Sequence, residues 1–233
     1  EACRQIRQWQ QLGIVTVPLA LNISSYLLRA PQWFENELLA GLHNNGLQPS
    51  ALELEFNETT TIETPDIIIP LMSRLHHLGV GLAIDDFGTA YSTMQDLKQF
   101  PVKKLKLDGS FVHEITSEPR SLAIADAIIA MAHRLQVEVV AEKAETRGQV
   151  KTLSDRGCDL ARGYFFCKPM PADELLPLLR HGTVELPDGQ SAEDNSRTLL
   201  ILDDEPKVLS ALRRVFRQEG YLILTVESAE QAS

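Results

Sequence analysis

Six short apolar runs, separated by segments of helical period, constrain this chain more than any other feature. They are Val15–Ile23, Leu52–Phe56, Val80–Ile84, Val102–Leu107, Val137–Ala141 and a shorter stretch at Asp159–Arg162. Between them, Ile67, Leu71, Leu75 and Leu78, and later Leu122, Ile124, Ile128, Ile129 and Ala132, recur near the spacing of a helical turn. Pro65 follows Thr64 where a helix's first turn accepts a proline. Strand and helix alternate throughout, which predicts an α/β fold with a parallel sheet and helices outside it.

Each run closes on a polar residue. In order these are Asn22, Glu55, Asp85 with Asp86, Lys106 with Asp108, Glu142 and Arg162. In a βα-barrel the carboxyl ends of the strands converge on one face, where active sites form. A single strand-end acid is more often a helix N-cap or a solvated loop residue; a whole series in register points to a site. The set offers oxygen ligands and no Cys or His, which suits Mg²⁺, Mn²⁺ or Ca²⁺ better than a structural zinc. A lysine beside such a cluster suits an anionic substrate or an activated water. Together the residues point to metal-assisted phosphodiester hydrolysis.

The same stretches carry a family resemblance. Leu21-Asn22-Ile23-Ser24, Leu52-Glu53-Leu54-Glu55-Phe56-Asn57-Glu58, Ala83 to Ser92 around Asp85-Asp86-Phe87-Gly88-Thr89, Leu105 to Phe111, Ala141-Glu142-Lys143-Ala144-Glu145-Thr146, and Gly163 to Phe166 before Pro169 agree in order and spacing. Over residues 1 to about 180 the chain resembles the EAL domain family, the cyclic di-GMP phosphodiesterases. The resemblance implies a TIM-like βα-barrel, a two-metal Mg²⁺ or Mn²⁺ site, and cleavage of cyclic di-GMP to a linear dinucleotide. It implies Asn22, Glu55 and Asp85 as ligands of one metal, and Asp85 with Asp86 as ligands of a second. Lys106 would hold the attacking water or a phosphate oxygen, and Glu142 would be the general base or a further metal contact. Glu58 would prop the loop after the Asp pair, with Phe87 and Thr89 as part of that support. Arg162 and Pro169 would face the substrate. The loop after Asp86 is associated in the family with dimer contact, so a homodimer through it is expected.

The departures set further expectations. No Glu-Ala-Leu occurs, although it names the family and supplies a metal ligand; Glu1-Ala2-Cys3 begins a helical pattern instead. An eight-stranded barrel needs two strands beyond those visible. The chain is therefore expected to begin after them, with one ligand missing, and alone to show little or no turnover. The family's Glu-Gly-Val-Glu reads Glu142-Lys143-Ala144-Glu145, and a lysine so close is expected to lower the pKa of Glu142 and weaken it as a base. The family's Gln-Gly-Tyr reads Arg162-Gly163-Tyr164, which adds a fixed charge and a bidentate phosphate donor. Ala90 replaces a glycine and is tolerated unless the loop needs positive φ there. These changes keep open a second reading: a degenerate domain that binds cyclic di-GMP, or only mediates dimerisation, under control of a receiver domain.

The domain boundaries follow composition. Residues 1–181 form the barrel, 182–197 a polar, turn-rich linker, and 198–233 a separate piece. In that piece the run Thr198-Leu199-Leu200-Ile201-Leu202 ends in Asp203-Asp204, a helical pattern follows, and Tyr221–Val226 reads as another strand. This resembles the opening β-α-β of a doubly wound response-regulator receiver domain, with Asp203 and Asp204 as its Mg²⁺-holding pair and a histidine kinase as partner of the complete domain. So short a fragment lacks an independent core; the expectation is that it packs against the open side of the barrel.

Bulk properties limit the alternatives. A net charge of −10 argues against nucleic-acid binding through a basic surface. Three cysteines without a Cys-x-x-Cys pattern fit free thiols in a reducing cytoplasm. No run is long and apolar enough to span a membrane. His76 and His77 read as helix-end residues that favour the dipole, and His113, His133 and His181 as surface or helix-flank residues. Trp9 and Trp33 read as core.

Overall fold

A computed structural model of the protein describes residues 1–14, 17–90, 97–181, 197–199 and 221–223. Six parallel strands form one sheet in chain order: β1 (Leu19–Ile23), β2 (Leu52–Asn57), β3 (Gly81–Phe87), β4 (Lys104–Leu107), β5 (Glu138–Ala141) and β6 (Leu160–Ala161). The order predicted from the apolar runs holds, and five of the six strands start later than the runs suggest. Pro18 has no N–H to give a ladder, and β1 starts immediately after it.

The helices between strands are α1 (Ala2–Gln11), α2 (Pro31–Asn44), α3 (Glu58–Glu63), α4 (Pro65–His77), α5 (Gly109–Glu114), α6 (Pro119–Arg134), α7 (Arg147–Asp155) and α8 (Ala172–His181). Their starts are chemically marked. Asn57 caps α3 through Thr59 N, Asp108 caps α5 through Ser110 N, and Thr146 with Gln149 closes a full capping box on α7. Pro65 sits at the start of α4, as its position after Thr64 predicts. None of these helices is long and apolar enough to cross a membrane.

Alternation along the strands explains both the core and the site. Leu52, Leu54 and Phe56 turn one way and are buried. Glu53 and Glu55 turn the other way, where they meet Lys104 and Lys106 of β4. The inward face thus carries two stacked ion pairs: Glu53–Lys104 at 2.7 Å, and the Glu55–Lys106 pair one layer nearer the carboxyl ends.

Trp9 is buried as expected, with Ile14, Leu175 and Leu179 around it. Trp33 is not: it is 55% exposed. On α2 the buried residues are Phe34 and Leu42, with Leu38 packed beside them, and Trp33 lies about 100° around the helix from Phe34.

The short strands β7 (Arg197–Leu199) and β8 (Tyr221–Ile223) pair in parallel, with Thr198 opposite Leu222. β8 lies close to β6, the last strand of the sheet. Asp203, Asp204 and the predicted helix after them lie outside the described residues, as do Tyr91 and Ser92 of the loop after the Asp pair.

Candidate active site

The six predicted strand-end positions come together. Asn22 pairs in register with Glu55, and Asn57 with Asp85. Lys106 lies on β4, Glu142 directly after β5 and Arg162 directly after β6. Lys106 is the centre of the arrangement. It is 1% exposed, and its Nζ donates to Glu55 Oε2, lies 2.9 Å from Asp85 Oδ1 and lies 2.8 Å from Glu142 Oε1. Arg162 closes the group from the side. Its Nη2 is 2.6 Å from Glu142 Oε1 and its Nη1 3.7 Å from Glu55 Oε1.

Two adjacent residues of a regular strand point to opposite faces, yet both aspartates reach the site. The reason is a one-residue irregularity at the end of β3. Ile84 pairs with Leu105 and Phe87 with Leu107, so three steps on β3 match two on β4. Asp86 takes φ +54° within this bulge. Bulges re-aim side chains in this way, and here the oxygens of Asp85, Asp86 and Glu142 lie within 4.8 Å of one another. Asn57 Nδ2 donates to Asp86 Oδ2 at 2.8 Å. Sequence reasoning missed Asn57, although it stands one residue before Glu58 in the matching stretch.

Glu58 does what the sequence predicts of a loop prop. Its Oε2 accepts from the backbone N–H groups of Gly88 at 2.9 Å, Thr89 at 3.1 Å and Ala90 at 3.0 Å. Thr89 Oγ1 donates to Asp86 O, Phe87 is buried, and Gly88 at φ +99° is pressed against Phe111 and Ile128 so closely that a Cβ would collide. Ala90 is not among the described residues at positive φ, so its methyl is tolerated.

Charge and burial set the titration of the group. Burial raises Glu142 to about 7, against the opposing pull of the Arg162 and Lys106 charges. Burial likewise raises Glu55, with Lys106 and Arg162 opposing. At Asp85 burial is again the largest influence and acts upward, but Lys106, Glu142 and Arg162 together outweigh it and the net direction is down. Lys106 is raised: burial favours the neutral amine, and the charges of Glu142, Glu55 and Asp85 overcome it. Asp86 is raised by burial and by Asp85 and Asp108.

The lowered pKa expected of Glu142 from Lys143 is not what the structure gives: the net direction is up, and the leading cations acting on Glu142 are Arg162 and Lys106. Lys143 takes φ +55°, lays its stem across Gly109, and places its charge near Asp86 and Asp108 instead.

A cavity of about 340 Å³ opens on the cluster. Asn22, Asp85, Asp86, Glu142 and Arg162 line it together with Tyr164, Lys168, Pro169 and Met170. Pro169, which the resemblance implies to face substrate, is thus among the cavity-lining residues. Tyr164, 58% exposed, and Lys168 are site residues the strand-end reading could not reach, because they follow β6 in a loop. Gly163 is required for that turn: a Cβ there would lie 2.3 Å from the carbonyl oxygen of Ala144.

The residues suit a hard divalent cation. One terminal atom of the Asn22 amide lies 3.0 Å from Asp85 Oδ2 and 3.2 Å from Glu55 Oε2. As nitrogen that atom donates to both carboxylates; rotated, its oxygen joins them as a three-oxygen set of the kind Mg²⁺ or Mn²⁺ takes.

Comparison with known proteins agrees with this geometry. Residues 1–169 match the family model of the EAL domain. The chain is 41% identical over 180 residues to the cyclic di-GMP phosphodiesterase NbdA of Pseudomonas aeruginosa, covering 77% of this chain and 23% of NbdA. The structure of PaMucR phosphodiesterase in complex with c-di-GMP superposes with a TM-score of 0.71 at 36% identity, over 75% of this chain and 70% of that one. A manganese/cy-diGMP complex of Klebsiella pneumoniae BlrP1 superposes with a TM-score of 0.65 at 29% identity, over 71% of this chain and 42% of that one. Among the first curated relatives the chain spans 22% to 26% of their length.

Proposed function

This chain belongs to the EAL domain family, and from that premise we propose that it is a cyclic di-GMP signalling domain that hydrolyses one phosphodiester bond of cyclic di-GMP to give a linear dinucleotide. The observation that carries the reading is the convergence of Asp85, Asp86 and Glu142 within 4.8 Å at the mouth of a cavity, above the buried Lys106. Asn22, Glu55, Asp85 and Asp86 would hold Mg²⁺ or Mn²⁺, which when bound polarises the phosphate and the attacking water.

The chain's own residues divide the remaining work. Lys106 fixes the orientation of three carboxylates at once and, being protonated, offsets their mutual repulsion. Glu142, raised to about 7, accepts a proton from water near neutral pH; a cation beside it would lower that value. Glu58 holds the backbone after Asp86, which keeps the Asp pair in its bulged geometry. Arg162 offers a forked donor toward a phosphate in the cavity, which Tyr164 and Pro169 also line.

The test is turnover of cyclic di-GMP with Mg²⁺ or Mn²⁺, followed by chromatography of the linear dinucleotide. Turnover abolished by Asp85→Asn supports the reading. Binding of cyclic di-GMP with no product from any form of the protein that includes this chain would overturn it. That outcome would favour the second reading, a receptor that does not cut, for which the ion pair between Arg162 and Glu142 is the specific support.

We further propose that residues 198–233 open a receiver domain addressed by a histidine kinase, that the domain pairs through the loop after Asp86, and that it works in the cytoplasm. The parallel pairing of β7 with β8 supports the first of these, since β-α-β units of doubly wound folds pair that way. The position of β8 near β6 supports packing of that piece against the sheet's edge.

A further inference from the structure

We propose that Arg162 stands in for a second divalent cation, so that the resting cluster holds one ion tightly and admits another only poorly. This rests on the metal-assisted reading above and concerns how many ions the site takes.

The charges make the case first. Glu55, Asp85, Asp86 and Glu142 contribute four carboxylates when ionised, and Lys106 and Arg162 bring two fixed cations among them. Two negative charges remain, which one divalent ion neutralises. A second would give the group a net positive charge around the largely buried side chains of Lys106 and Arg162, where Coulomb energies are large.

Geometry then says which position is contested. The Asn22, Glu55 and Asp85 oxygens converge on one side, where the guanidinium makes a long contact of 3.7 Å to Glu55 Oε1. The other candidate position lies among Asp85, Asp86 and Glu142. One of its three members, Glu142, is already engaged by Arg162 Nη2 at 2.6 Å. A cation arriving there must share Glu142 with a guanidinium that never deprotonates. The Arg162 side chain is only 15% exposed, so little solvent screens that competition. Its backbone holds it in place as well: Arg162 N donates to Ala141 O, and Arg162 O accepts from Ala144 N.

Counting bound ions tests this without any enzyme assay. The full chain is titrated with Mn²⁺ and free ion is measured by electron paramagnetic resonance, for wild type, Arg162→Gln and Arg162→Met. One tight ion in the wild type, and in either neutral variant a second ion bound about tenfold or more tightly than in the wild type, is the expected result; a tenfold change is modest for one full charge removed at contact distance. Arg162→Met keeps the aliphatic stem and decides the matter should the glutamine variant melt early. Arg162→Lys keeps a charge without the fork and should fall between. Equal ion counts and equal dissociation constants in wild type and both neutral variants would overturn the inference alone. No Mn²⁺ binding in any folded variant would overturn the metal-assisted reading, and this inference with it.

Discussion

Glu58 and Glu142 are both buried acids that directly follow strands of the same sheet, β2 and β5, and they are satisfied in opposite ways. Glu58 Oε2 is met by three backbone N–H groups of one loop. Glu142 is met by the side-chain cations of Lys106 and Arg162. Backbone donors belong to the fold and leave only if the loop unfolds. Side-chain cations can be displaced by another cation or drawn away by a phosphate. The difference teaches how to read a cluster of acids: the partner's kind separates the acid that builds the site from the one that reacts in it.

The largest effect should come from removing the shared partner of the reactive set. Lys106→Met strands Glu55, Asp85 and Glu142 without their central cation, and breaking a buried ion network costs about 3–5 kcal/mol. Urea unfolding of metal-free protein should show that loss, and added Mn²⁺ should recover part of it, because a divalent ion can replace the lysine's charge. A variant as stable as the wild type would mean that the carboxylates do not depend on Lys106, and the contrast with Glu58 would collapse.

A smaller and more local effect is expected at the structural acid. Glu58→Ala leaves the N–H groups of Gly88, Thr89 and Ala90 without their acceptor. Hydrogen bonds to a charged group contribute about 1.5–3 kcal/mol each, but a surface loop can turn its donors to water, so a loss of roughly 2 kcal/mol in total is expected. Native-state hydrogen exchange should speed at those three amides and leave β4 and β5 protected. Mn²⁺ should not restore the lost stability, which is where this acid parts from the other.

How much of this could be read from the sequence follows from the same contrast. The strand order, the start of α4 at Pro65 and the convergence of Asn22, Glu55, Asp85, Lys106, Glu142 and Arg162 were legible because each depends on local pattern: an apolar run, a polar residue at its end, or a proline at a first turn. The Glu58 prop was legible through the resemblance, whereas nothing local in Glu58 announces three donors thirty residues away. Side-chain direction was not legible. Lys143 looked like a neighbour of Glu142 because it follows it, but φ +55° sends it to Gly109. Asp86 looked like a simple second acid, but a bulge and φ +54° are what turn it into the site. Trp33 shared a helical pattern with core residues and still faces solvent, since one step around a helix suffices to leave the buried stripe.

The smallest effect predicted is a slope in pH, and its sign is fixed by the direction of the Glu142 shift. Burial lifts Glu142 from 4.5 to about 7 in the folded chain. Below about pH 4.5 the group is protonated in both folded and unfolded chains and contributes no difference. Between pH 4.5 and 7 the folded chain holds the proton that the unfolded chain has released, so stability falls as pH rises through this window, and it levels off above it. A shift of this size corresponds to at most about 3 kcal/mol, reduced to roughly 1–2 kcal/mol because Lys106 and Arg162 respond together with the acid. Glu142→Gln removes the titrating group, so the difference in unfolding free energy between wild type and variant, measured in chelator at pH 5 and pH 8, should grow in the variant's favour toward the higher pH. A flat difference would mean that the two cations already hold Glu142 ionised throughout. It would then be fixed by its partners as firmly as Glu58 is by its loop, and the distinction between the acid that builds and the acid that reacts would have to rest on displacement by metal alone.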